Sequence, residues 1–136
     1  SDALIAASVR GVDVRLMVPR RSDTLLVQLA SRSYFKKLLR AGLKIYFYEP
    51  GFLHSKLMVI DDSLTLMGSA NFDVRSFEQN LEVVAFIYND ATAIRGREIF
   101  VEDQNNSTAI VLREWIKRPV WMRFKESFVR LFTPLL

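Results

Sequence analysis

Phe52-Leu53-His54-Ser55-Lys56-Leu57-Met58-Val59-Ile60-Asp61-Asp62-Ser63-Leu64-Thr65-Leu66-Met67-Gly68-Ser69-Ala70-Asn71 is the stretch from which the rest of the chain is read. Two apolar runs flank Asp61-Asp62-Ser63, three residues that favour turns, so the stretch predicts a hairpin with strands over 52–60 and 64–67. Alternate side chains of a strand share a face; His54 and Lys56 should project together while Leu53, Ser55 and Leu57 turn away. His54 is the only histidine and there is no cysteine, which leaves few routes to a nucleophile. An imidazole beside an ammonium group suits a phosphoryl substrate: the nitrogen attacks phosphorus and the cation holds the oxygens on which charge develops.

Working outward, Ser1 to Arg10 reads as the end of a helix, and Gly11 lets the backbone turn into an alternating strand over 12–18 that Pro19 stops. Ser22 or Asp23 caps a helix whose apolar positions Leu25, Leu26, Leu29, Phe35, Leu38 and Leu39 recur at helical spacing up to Ala41-Gly42. Residues 43–48 form a second strand, and Glu49-Pro50-Gly51 breaks it from the hairpin. Downstream, the nearly continuous apolar run 81–88 predicts a strand buried on both faces. Asn89-Asp90 starts a helix to about Glu102, Asp103 to Ser107 reads as a loop, and Ser107-Thr108 as the cap of a further helix. Strands alternating with helices argue an α/β fold, a mixed β-sheet flanked by helices on both faces. No repeat, low-complexity segment or linker interrupts the chain, which reads as a single lobe over 1–136.

A length of 136 residues, half of them apolar, suffices for one domain with a core and not for two ordinary ones. The missing cysteines exclude a disulfide framework and a thiolate site, and one histidine argues against a zinc site. The net charge of +4 favours phosphate-bearing partners. No run approaches the roughly 20 apolar residues that span a bilayer, and no signal-peptide layout opens the chain, so it reads as a soluble piece.

The candidate site follows from the chemistry. His54 needs its second ring nitrogen held by an acceptor, for which a carboxylate is the usual solution. Lys56 would lie on the non-bridging phosphate oxygens; Asn71 and Ser69 offer further donors, and Gly68 permits close backbone approach. Asp61, seven residues past His54, faces away from it on an unbroken strand and is assigned to holding the turn. Arg20, Arg21 and Arg75 offer phosphate or headgroup contacts, and Phe47, Phe52, Phe72 and Phe77 the lining of an acyl or glycerol channel, although such residues are more often solvated surface and core. In the carboxyl segment, Trp121, Phe124, Phe128, Leu131 and Phe132 share one helical face with Arg123, Lys125 and Arg130 off it. Such a helix either lies in a membrane interface or packs on the domain's own core.

The full order His-x-Lys, four residues, Asp, six residues, Gly-Ser-x-Asn resembles the motif of the phospholipase D superfamily. The flanks narrow the likeness: residues 51–56, 70–82, 118–127 and 134–136 resemble the carboxyl-terminal lobe of bacterial cardiolipin synthases. That resemblance implies a layered α/β lobe and a phosphatidyltransferase that joins two phosphatidylglycerol molecules into cardiolipin through a phospho-histidine intermediate. It makes His54, Lys56 and Asp61 the catalytic motif, Ser69 and Asn71 phosphate ligands, and Glu82 the carboxylate that orients His54. It implies no cofactor and no metal, and it implies that an amino-terminal portion with a second motif is absent, so that the fragment alone is inactive or nearly so. Expected partners are phosphatidylglycerol and other anionic phospholipids, the missing lobe, and the membrane surface through the carboxyl-terminal helix, with the full-length enzyme at the bacterial inner membrane. The competing reading is a single-motif phosphodiesterase acting on nucleic acid as a homodimer that pools two copies of His54.

Overall fold

The structure is a computed structural model that describes residues 2–21, 25–71 and 81–130. In chain order it contains α1 (Asp2–Val9), β1 (Arg15–Pro19), α2 (Leu25–Arg40), β2 (Lys44–Tyr48), β3 (Leu57–Ile60), β4 (Leu64–Gly68), β5 (Val84–Tyr88), α3 (Asp90–Asn105), β6 (Ser107–Ala109), α4 (Leu112–Ile116) and α5 (Val120–Arg130). They fall into two compact units, residues 1–53 with 107–136 and residues 54–106. The chain is α/β, with mixed strand pairing and flanking helices.

The first unit is built on a sheet of order β1-β2-β6. β1 and β2 run parallel, Leu16 opposite Ile45, and β6 runs antiparallel to β2, Phe47 opposite Thr108. The central position of β2 explains why Ile45 and Phe47 are buried. They form one cluster with Phe35 and Leu38 of α2, Leu43 and Trp115 of α4, joined at its edge by Leu4 and Ile5 of α1. α2 ends where the sequence says it should: Gly42 takes φ +94°, and the Leu43 amide returns to the Leu38 carbonyl.

Several boundaries differ from expectation. β1 starts at Arg15 rather than at Val12, where its ladder with β2 begins opposite Lys44, and just before it the Asp13 carboxylate lies 2.8 Å from both Arg15 and Lys44. α3 continues to Asn105 through the presumed loop, and Ser107-Thr108 caps no helix. Those residues form β6, where Thr108 donates its hydroxyl to Glu49 at 2.6 Å, and α4 begins after Val111 without a side-chain cap. The Asn89 cap is as expected, accepting from the Thr92 amide at 2.9 Å. The cap assigned to Ser22 or Asp23 lies outside the described residues.

The second unit is an antiparallel sheet, β3-β4-β5, against which α3 packs. Val59, Thr65 and Ile87 stand opposite one another, and Thr65 is buried. Gly96 of α3 sits on this side; a Cβ there would meet Val59 Cγ2 at 2.9 Å. β5 is not buried on both faces: Phe86 is 58% and Tyr88 80% exposed. Its apolar run has two sides; α3 packs on β3 and β4, and the side of β5 carrying Phe86 and Tyr88 is exposed. No helix of the described residues is long and apolar enough to cross a membrane.

Candidate active site

The β3–β4 hairpin carries the motif, though on a shorter strand than expected. Pairing starts at Leu57 opposite Met67, with one further bond from the Gly68 amide to the Lys56 carbonyl at 3.2 Å, and residues 52–55 precede the strand. Past Gly68 the Ser69 amide donates to the Val83 carbonyl at 2.9 Å, on the β5 side. His54 sits on an exposed approach segment, not on the strand proper. Lys56, half-buried, folds back so that its Nζ donates to the His54 carbonyl oxygen at 3.0 Å.

Gly68 has a structural reason that differs from the one expected of it. A Cβ at this position would lie 2.0 Å from the Val83 carbonyl oxygen and 2.8 Å from the Val84 Cα, so only glycine lets β4 reach the start of β5. That approach brings the Gly-Ser-x-Asn segment to Glu82. Ser69 Oγ donates to Glu82 Oε2 at 2.5 Å and accepts from the Val83 amide at 3.0 Å. Its hydroxyl proton is thus directed at the carboxylate rather than left for a phosphate. Leu81 and Val83, in the run expected to be buried on both faces, are both exposed, and Glu82 between them is held by the serine. Asn71 is exposed and ends the described part of this segment; Phe72, Arg75 and Phe77 lie outside it.

Asp61 is at the other end of the hairpin, roughly 20 Å from His54 by the rise of a strand over seven residues. Asp61 and Asp62 both take left-handed backbone angles, φ +49° and +52°, which Asp tolerates better than most residues. The turn is fixed by an ion pair between Asp62 and Arg97 of α3 at 2.6 Å. This pair, and the role of Gly96, gave no signal in the sequence, because both depend on which face α3 turns to the hairpin. The structure thus joins Lys56 to His54 and Ser69 to Glu82 and places Asp61 in the turn.

A match to the family model described as cardiolipin synthase, PLD-like domain, spans residues 1–104. The chain is 44% identical over 135 residues to the major cardiolipin synthase ClsA of Bacillus subtilis, covering 99% of this chain and 28% of that protein. It is 47% identical over 134 residues to the cardiolipin synthase of Geobacillus kaustophilus, covering 98% of this chain and 27% of the other. The chain spans little more than a quarter of the length of these relatives. Among solved structures it is similar to a phospholipase D family member, Nuc from Salmonella typhimurium, with a TM-score of 0.70 and 25% identity over 80% of this chain and 71% of that one.

Proposed function

Since this chain belongs to the cardiolipin synthase family of phospholipase D-like domains, we propose that it is one catalytic lobe of a phosphatidyltransferase that makes cardiolipin from two phosphatidylglycerol molecules. One observation carries the reading: an unbroken His54-x-Lys56, Asp61, Gly68-Ser69-x-Asn71 motif in a chain 44% and 47% identical to two cardiolipin synthases. The lobe is the carboxyl-terminal one, and its counterpart supplies a second histidine and lysine.

In this mechanism one of the two histidines attacks phosphorus through a ring nitrogen. The N–P bond forms as the P–O bond to glycerol breaks, and the other histidine gives its proton to the departing oxygen. That same histidine then takes the proton from the hydroxyl of the incoming phosphatidylglycerol, whose oxygen displaces the histidine from phosphorus. Lys56 and Asn71 hold the non-bridging oxygens as charge grows on them. Glu82, steadied by Ser69, orients the His54 ring, while Asp61 acts at a distance by fixing the hairpin turn. α5 brings the lobe to the bilayer surface: Trp121, Phe124 and Phe128 are 57%, 70% and 53% exposed, whereas Glu126 is buried and Val129 half-buried.

The test is turnover of phosphatidylglycerol by the purified chain and by the chain joined to the lobe that carries the second motif. Activity only in the joined protein, abolished by His54→Ala, is the expected result; full activity in a strictly monomeric chain would defeat the two-histidine scheme. A second reading, a homodimeric phosphodiesterase pooling two copies of His54, is favoured by the likeness to a family member close to this chain in length. Incubation with DNA and with phosphatidylglycerol vesicles separates the two.

A further inference from the structure

A cavity of about 350 Å³ opens in the first unit between α2, α4 and α5, and it shares no residue with the motif. One wall is a stripe of cations on α2, Arg32, Lys36, Lys37 and Arg40, which the helical period places along one side. Arg118 adds a fifth. Against them stands a single carboxylate, Glu126, and Arg118 already grips it with both nitrogens at 2.7 and 2.9 Å. Lys37 is shared with Asp2 at 2.8 Å. The charges of Lys36 and Arg40 have no such neighbour among the lining residues.

Arg32 shows the consequence. Its guanidinium is disfavoured in charged form first by burial and further by Arg118 and Arg20, with only Glu126 opposing. One terminal nitrogen reaches the Arg20 carbonyl at 2.9 Å, while its Nε is buried without a hydrogen-bond partner. A group of cations with so little internal compensation favours a bound anion, and guanidinium and ammonium groups together match phosphate oxygens.

The surroundings indicate where that phosphate comes from. Around α5 each residue advances the surface by about 100°. Glu126 faces inward and Ser127 lines the cavity; beyond it come the exposed rings of Phe124 and Phe128. A basic groove bordered by outward aromatics suits the headgroup layer of a membrane, where rings enter the interface and cations meet phosphates.

We propose that this groove binds the phosphate of an anionic phospholipid headgroup, anchoring the lobe to the bilayer through residues other than those of the motif. The proposal rests on the lipid reading given above, and binding is measured apart from turnover so that the two can fail separately. The probe is a vesicle of equal parts phosphatidylglycerol and phosphatidylcholine, with co-sedimentation of the full chain at physiological salt. The double variant Lys36→Gln/Arg40→Gln should weaken binding about tenfold or more, whereas Arg10→Gln/Arg95→Gln, which removes the same charge elsewhere, should weaken it less than about threefold. Thermal melts check that both variants fold.

Equal losses in the two variants would overturn the groove as a site, leaving general charge attraction. Unchanged binding by Lys36→Gln/Arg40→Gln, with the parent bound, would overturn the groove alone. A parent chain that ignores these vesicles overturns both the groove and the membrane role. A second measurement separates lipid from free anion: the Trp115 side-chain resonance, at the cavity wall, should shift with short-chain phosphatidylglycerol and not with inorganic phosphate at equal concentration. The same shift with both would overturn the lipid as occupant.

Discussion

At position 68 the absence of a side chain decides whether two strands can meet. A methyl group 2.0 Å from a backbone carbonyl oxygen cannot be relieved by turning a rotamer, so Gly68→Ala must separate β4 from β5. The expected cost is about 3 kcal/mol or more, read from urea unfolding, together with loss of the Ser69–Glu82 contact. A second residue-scale case is Asp13. Hydrogen bonds from Arg15 and then Lys44 hold its carboxyl down at about 2, below the ordinary 3.8. The folded protein therefore binds this proton less readily than the unfolded one. Its contribution is complete above the ordinary value and drains away as pH falls toward 2. Asp13→Asn should lower the melting temperature at pH 7, with the gap to the parent closing in melts taken near pH 2. The sequence named His54, Lys56, Asp61, Ser69, Asn71 and Glu82 as one site but not the bond between Ser69 and Glu82. Thirteen residues separate those two, and only the β4–β5 approach brings them together.

Elements show why pattern reading succeeds in some places and stops in others. Helices α2 and α3 and the turn at 61–63 were legible because local chemistry sets them: Gly42 ends one helix, Asn89 caps the other, and Asp tolerates positive φ. Strand ends were not, since a strand extends only as far as a neighbour pairs with it, and the β3–β4 ladder starts at Leu57. The run 81–88 misled for a related reason: its pattern records two apolar sides, not what covers each. On α5 the sequence left two readings of the aromatic face; Trp121, Phe124 and Phe128 are exposed, and the membrane reading makes a prediction for them. Phe124→Ser should change stability by no more than about 0.5 kcal/mol in thermal or urea unfolding while weakening vesicle binding. The opposite holds where α5 meets α4. Arg118 stacks over Trp115, 3.2 Å from its ring centre, and clamps the buried Glu126. Arg118→Leu alone strands a carboxylate and should cost about 3–5 kcal/mol, whereas Arg118→Leu/Glu126→Leu should recover much of it in the same unfolding assay. This clamp gives a physical reason for the Arg118-Pro119 to Ser127 stretch on which the family likeness was partly drawn.

For the whole molecule the decisive quantity is the number of imidazoles. In the proposed mechanism, attack on phosphorus and proton delivery to the leaving oxygen use two histidines in opposite protonation states, and this chain carries one. On that proposal the second comes from a lobe that the relatives, nearly four times as long, have room to hold, or from another copy. The two sources differ in kinetic order. If copies pool their histidines, the rate at low concentration rises with the square of the protein concentration, because only the dimer is competent. Mixing intact chain with an excess of His54→Ala chain should then suppress turnover, as mixed dimers replace intact ones. If the other lobe is the source, the chain alone stays inactive at every concentration. Once joined to that lobe, the protein turns over in simple proportion to its concentration and is indifferent to added His54→Ala chain. Initial rates on phosphatidylglycerol vesicles over a hundredfold range of protein concentration read the order directly. First-order turnover of the joined protein, with none from the chain alone, is the outcome expected of a lobe that holds half of a site.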